Sequence, residues 1–156
     1  MKTKEMIQRL SLFLFALVLT MPAWAQGGSG NESETITIAS KEDWKAFCDR
    51  VNKGQTTLNV KLTQDVDLGS DIVMVGTSKS YTGTFDGQGH TITIDWNGNG
   101  GGYIALFPFV TNATIKNLRT QGKITSSSYD SQLSGLIMNA EGNTTISGCV
   151  SEVDLK

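Results

Sequence analysis

The sequence predicts an all-β chain wound as a solenoid, with a single helix near the start of its ordered part, and three observations carry that expectation. The first is a weak repeat: Ile115, Leu118 and Ile124 in ATIKNLRTQGKI recur 31 positions later as Ile146, Cys149 and Leu155 in TTISGCVSEVDL. Ala105-Leu106-Phe107 corresponds, one residue out of step, to Gly135-Leu136-Ile137. The second is spacing, since each copy reads as strand, turn, Thr-Ile-x-x-apolar, polar turn and strand, with no room for a crossover helix. The third is composition: the 17 glycines all lie beyond residue 25 and only two prolines occur, a bias toward short strands and turns. Such units cannot bury their faces alone, so stacking them as coils is the natural solution. A β-sandwich also makes short strands at regular spacing and stays open at this point.

The elements follow in order. Lys2, Lys4 and Arg9 precede the apolar run Leu10–Met21, which ends in Pro22 and the small-x-small triplet Ala23-Trp24-Ala25. This predicts a signal peptide over residues 1–25, cleaved before Gln26, because about twelve apolar residues fall short of the ~20 needed to span a bilayer. The expected destination is export, to the periplasm, the cell surface or the medium, with no membrane span after cleavage. Residues 26–34 (QGGSGNESE) carry no apolar side chain and predict a flexible tether. Order is expected over residues 35–156. Thr35–Ala39 alternates as a strand, and Ser40 with Asp43 has the spacing of a helix-capping box. Trp44, Phe47, Cys48 and Val51 then fall at i, i+3, i+4 and i+7, the stripe of an amphipathic helix that Gly54 ends. Short strands are expected at Leu58–Leu62, Val66–Leu68, Ile72–Val75, Gly83–Phe85, Thr91–Trp96, Tyr103–Val110, Ala113–Leu118, Gly122–Thr125, Leu133–Asn139, Thr144–Val150 and on to Leu155.

Beyond residue 25 ten Lys/Arg face fourteen Asp/Glu, a net charge of −4, which offers neither a basic stripe for nucleic acid nor a polybasic membrane patch. Cys48 and Cys149 stand 101 positions apart in a chain expected to be exported, so a disulfide has to be weighed. With Cys48 on the helix and Cys149 in a late strand, coils stacked about 4.8 Å apart place them beyond the ~7 Å bridging limit, and two free thiols are expected.

YTGTFDGQGHTITI, then ALFPFV, ATIKNLRTQGKI, LSGLI and TTISGC resemble the exported bacterial right-handed parallel β-helix proteins that carry GLUG-type repeats. The resemblance runs over about Thr35 to Lys156. The repeats are degenerate, with Ala105 in place of glycine, Pro108 in place of a second glycine, and Ile137-Met138-Asn139 in place of Val-Gly. It implies a right-handed parallel β-helix whose N-terminal end is closed by the helix, and a scaffold or adhesive stalk on the cell surface. It implies no catalytic residues.

Four side chains are candidate ligand contacts. Asp65 and Asp67 alternate with Val66 and Leu68, which puts two carboxylates on one face where calcium could bind or acid–base chemistry could begin; a solvated outer face is the plainer alternative. Trp96 and Tyr103 flank NGNGGG (Asn97–Gly102) and could form an aromatic platform for a sugar ring; the alternative is a Trp96 ring packed on the solenoid edge beside a flexible turn. Phe85-Asp86-Gly87-Gln88-Gly89-His90 offers either a catalytic Asp/His pair, which needs the two side chains within hydrogen-bond reach, or a glycine cradle for phosphate, which needs a helix right after the glycines where a strand pattern follows instead. A structural turn is expected instead, with Asp86 making an Asx turn and Gly87 and Gly89 at positive φ. His90 is the only histidine and no CxxC occurs, so no histidine or thiolate metal set forms and no cofactor is expected.

The inward or stack-facing residues are expected to be Ile92, Ile94, Leu106, Phe107, Ile115, Leu118, Ile124, Leu136, Ile137, Ile146 and Cys149. The expected function is a non-enzymatic secreted or surface β-helix module, scaffold- or adhesin-like, binding carbohydrate or an extracellular host or matrix protein. The alternatives are a carbohydrate-active β-helix enzyme of lyase or glycosidase type using Asp65, Asp67 or Asp86, and the accessory part of a larger secreted peptidase. The repeat places Ser151–Lys156 within the final strand of a coil, so missing residues or a partner are expected to complete that edge.

Overall fold

A computed structural model describes residues 34–156. The expected signal peptide and all but the last residue of the expected tether lie outside the described residues. Thirteen strands and one helix follow in the described part: β1 (Thr35–Ile38), α1 (Lys41–Asn52), β2 (Asn59–Leu62), β3 (Val66–Gly69), β4 (Thr84–Asp86), β5 (Thr91–Asn97), β6 (Gly102–Ile104), β7 (Phe107–Thr111), β8 (Thr114–Lys116), β9 (Arg119–Thr125), β10 (Ser131–Leu133), β11 (Ile137–Glu141), β12 (Thr145–Ser147) and β13 (Val150–Leu155). Each strand pairs with the one a full coil away. The sheets are β1-β2-β4-β8-β12, β3-β5-β9-β13, β6-β10 and β7-β11. Every pairing is parallel, which excludes the sandwich and makes the chain a parallel β-solenoid of about three turns with one N-terminal helix.

The repeat seen in the sequence is the coil-to-coil register. Ile115 lies opposite Ile146 and Ile124 opposite Leu155, each 31 positions apart. Phe107 lies opposite Ile137, which accounts for the one-residue slip. In-register parallel strands point equivalent side chains the same way, so inward positions form columns. One column runs Ile36, Val60, Phe85, Ile115, Ile146; another runs Trp96, Ile124, Leu155. Each fully buried Ile, Phe or Leu contributes roughly 1.5–3 kcal/mol. Ile92, Ile94, Leu106, Phe107, Ile115, Leu118 and Ile124 are fully buried, as expected. Leu136, Ile137 and Cys149 are half-buried against the core. Ile146 departs from expectation at 49% exposure, because it is the last member of its column among the described residues and no coil lies over it.

The helix forms where expected. Ser40 Oγ accepts from the Asp43 N–H at 3.1 Å, and Asp43 Oδ2 accepts from the Ala39 N–H at 3.0 Å, so the cap is reciprocal but reaches one residue further back than the usual box. Trp44, Phe47, Cys48 and Val51 are the buried stripe. Trp44 and Phe47 plug the lumen, packing on each other and against Tyr81, Phe85 and Phe107 at ring-centroid distances of 5.5–5.9 Å, mostly edge to face. The same helix holds the segment expected as strand Ile72–Val75, which is irregular. Trp44 Nε1 donates to the Val73 carbonyl at 2.8 Å, Asn52 Nδ2 donates to the Met74 carbonyl at 3.0 Å, and Asn52 Oδ1 accepts from the Gly76 and Thr77 N–H groups. Side chains of α1 thus satisfy backbone groups that a preceding strand would otherwise pair.

Two further boundaries differ for one reason. Tyr103–Val110 and Leu133–Asn139, each expected as one strand, are β6 with β7 and β10 with β11, because a coil must turn a corner at Ala105–Leu106 and at Ser134–Leu136. An apolar run looks continuous in sequence whether or not its backbone bends.

Candidate functional site

The segment Asp86–His90 is the corner between the first and second sheets. Asp86 Oδ1 accepts from the Gln88 N–H at 3.0 Å, the Asx turn expected, and the His90 N–H closes onto the Gly87 carbonyl at 2.8 Å. The positive-φ positions are Gln88 and Gly89, at +51° and +83°, not Gly87 and Gly89. Gly87 is needed for a different reason: a Cβ there would come within 2.6 Å of Leu118 Cα in the next coil. Asp86 also accepts from Asn117 Nδ2 at 3.2 Å and pairs with Lys116 at 3.3 Å. Partial burial pushes the Asp86 carboxyl up, but the Gln88 N–H, the Asn117 amide and Lys116 outweigh it and hold it below the ordinary range. It is an ionised acceptor with its lone pairs engaged.

Asp65 and Asp67 are both exposed and outward, as their alternation requires. Asp65 Oδ1 accepts from the Thr91 N–H at 2.8 Å and lies 3.3 Å from His90 Nδ1, tying one coil's corner to the next. Asp67 Oδ1 accepts from the Gly69 N–H at 2.8 Å beside the bulge in β3. Each carboxylate therefore serves the local backbone. No group of three or more acidic, histidine or cysteine side chains able to hold a metal occurs among the described residues.

The structure separates Trp96 from Tyr103. Trp96 is fully buried in the column above Ile124, neither on the solenoid edge nor free to meet a ligand, because residue 96 has the inward parity of Ile92 and Ile94. Tyr103 is 45% exposed, and its partner is Phe109, half-buried, with ring centroids 5.2 Å apart at 79°. Register places Gln132 beside Tyr103 and Asn139 beside Phe109 on the following coil, both exposed. The result is an aromatic step flanked by two amides on the outside of the third and fourth sheets. Tyr129, on the neighbouring loop, is fully exposed. Sequence reasoning missed Phe109, Gln132, Asn139 and Tyr129. Phe109 was hidden by Pro108, which breaks the strand parity; the amides acquire meaning only through register.

On the outer face of the first sheet, which each coil enters just after the fourth, two polar rows run along the solenoid axis. One is Thr35, Asn59, Thr84, Thr114, Thr145, and the other Thr37, Lys61, Asp86, Lys116, Ser147. Between them lies a depression of about 160 Å³ lined by Thr35, Asn59, Val60, Lys61, Thr84, Asp86 and Lys116.

Cys48 and Cys149 are free. Cys48 is buried in the helix cap with its Sγ 3.8 Å from the Val73 carbonyl, and burial pushes its thiol pKa far up. Cys149 is half-buried in the last coil, 3.6 Å from the Ile115 carbonyl.

No protein-family model, curated protein or solved structure matches the chain.

Proposed function

We propose that this chain is an exported, non-enzymatic β-solenoid module of the GLUG-type repeat kind, a scaffold that displays a carbohydrate-binding surface outside the cell. The observation that carries the reading is the Tyr103–Phe109 step with Gln132 and Asn139 beside it. An exposed aromatic face packs against the C–H face of a sugar ring, while neighbouring amides donate to and accept from its hydroxyls. Parallel ladders on both coils hold these four residues, so little side-chain or loop ordering is needed on binding. The carboxylates that an enzyme of this architecture would use, Asp65, Asp67 and Asp86, are engaged in turns and coil-to-coil bonds, which favours binding over catalysis. Fully exposed Tyr129 next to this surface favours, as a second reading, an extracellular protein as the partner.

The test is a glycan array probed with the processed chain, followed by Tyr103→Ala. Binding to neutral glycans that weakens about tenfold in the variant, with an unchanged far-UV spectrum, supports the reading. Signals no higher than background, or signals that Tyr103→Ala leaves intact, overturn it.

A further inference from the structure

We infer that the depression on the outer face of the first sheet is a second binding site, for a single acidic sugar unit: a hexose-sized ring bearing a carboxylate or sulfate. Three features converge there. The first is charge. Lys61, Asp86 and Lys116 are register neighbours on β2, β4 and β8. Asp86 turns toward Lys116, at 3.3 Å, and toward Gln88 and Asn117. Lys61 makes no ion pair among the described residues and is exposed, so the lining carries one uncompensated positive charge. On the strands and at the C-terminal end of the coils, Lys116, Lys123 and Lys156 each have a carboxylate partner, whereas Lys79, on the loop between β3 and β4, shares with Lys61 the lack of an ion pair among the described residues.

The second feature is the row of short hydroxyl side chains. Thr35 and Thr84 line the depression from β1 and β4, on either side of Asn59, whose Oδ1 accepts from the Thr84 N–H at 3.1 Å. That bond fixes the Asn59 amide, while the two threonine hydroxyls make no side-chain bond to any described residue and face outward, available to a ligand's hydroxyls. The third is size: about 160 Å³ is well below the ~300–1,000 Å³ of pockets that take drug-sized ligands and suits one ring. A cation at one side and hydroxyls at the other match a molecule that is anionic at one end and polyhydroxylic along its edge. The site sits on a different sheet from the Tyr103–Phe109 step and stands or falls apart from it.

Isothermal titration of the processed chain tests this with four probes: a glucuronic-acid disaccharide, a sulfated disaccharide, the matching neutral disaccharide and inorganic sulfate. The expected result is binding of one or both acidic disaccharides, weakened about tenfold by Lys61→Gln, abolished by Lys61→Glu and weakened several-fold as salt rises from about 20 to about 200 mM. The carboxylated and sulfated arms identify which anion is preferred. Thr84→Val should weaken the same binding about threefold, and Lys123→Gln, on the second sheet, should leave it unchanged. Lys61 is exposed and its substitution leaves the core intact, which the far-UV spectrum checks. The inference is overturned if the neutral disaccharide binds as well as the acidic ones, if Lys61→Glu has no effect, or if neither acidic disaccharide binds. Inorganic sulfate binding as tightly as the sulfated disaccharide also overturns it, since the site would then hold an adventitious ion only. Tyr103→Ala should not change these titrations, so failure here and failure of the neutral-glycan reading are distinguishable.

Discussion

Replacing Trp44 by alanine should cost close to the upper end of what core aromatics cost, and the structure says why. The side chain has no exposed surface. Its ring meets Phe47, Phe85 and Phe107 edge-on at 5.8, 5.9 and 5.9 Å, and its N–H donates to the Val73 carbonyl at 2.8 Å. Burying and packing such a ring is worth about 3–5 kcal/mol on truncation. Edge-to-face pairs add about 0.5–1.5 kcal/mol each beyond area, which places this site at the high end. The Val73 carbonyl would keep only the weak Cys48 thiol donor at 3.8 Å. Trp44→Phe keeps most ring contacts and removes the N–H, so it should cost about 1–2 kcal/mol. Against a typical total of about 5–15 kcal/mol, Trp44→Ala removes a third or more, and it should loosen the first coil before the rest because solenoid stability is local. Urea unfolding followed by far-UV circular dichroism measures both variants. A Trp44→Ala loss below about 1 kcal/mol would show that the helix is not the plug of this solenoid. Equal losses for the two variants would show that the hydrogen bond, not the packing, carries the site.

Gly122→Ala should destabilise by several kcal/mol or prevent folding, since residue 122 has φ +109° and a Cβ there would overlap the Ile94 carbonyl oxygen across the ladder; a thermal midpoint within a few degrees of the parent would refute that. Iodoacetamide at pH 8 should label Cys149 and spare Cys48 until the chain is unfolded, because burial keeps the Cys48 thiol protonated; fewer than two labelled thiols after non-reducing unfolding would reveal a disulfide instead. Asp71 is hydrogen-bonded first by Lys45 and then by Lys41, at 2.7 and 2.9 Å, which depresses its pKa to about 2. That lies below the ~3.9 of an unfolded aspartate, so its stabilising contribution is complete above about pH 4 and is lost as pH falls through about 2. Carboxyl NMR should find this midpoint and see it rise in Lys45→Met; a midpoint near 3.9 in the parent would contradict the pairing.

Much of this architecture was legible because it is periodic. Ile115 and Ile146 could be matched by eye, and the structure shows them opposite each other in the ladder. The helix was legible from its cap and stripe, Ser40 to Val51, since both are local signals. The site was less so. Asp65 and Asp67 were placed correctly on an outer face by alternation alone, but their hydrogen bonds to Thr91 and Gly69 could not be foreseen. Trp96 was offered to a ligand because it adjoins a glycine-rich loop, although its parity with Ile92 and Ile94 already pointed it inward.

By itself, then, the sequence determined the class of fold, the capping helix and most of the residues that line the lumen, because these depend on spacing within one stretch of chain. It did not determine where each coil bends, what pairs with the segment after β3, or which outward side chains become neighbours. Those are set across coils. Tyr103 meets Phe109 because the chain turns a corner between them, and Lys61, Asp86 and Lys116 share a surface because three strands, 25 and 30 residues apart in turn, stack in register. Hydrogen bonding between parallel strands brings those side chains to within about 5 Å, a proximity that only the stacking of coils creates.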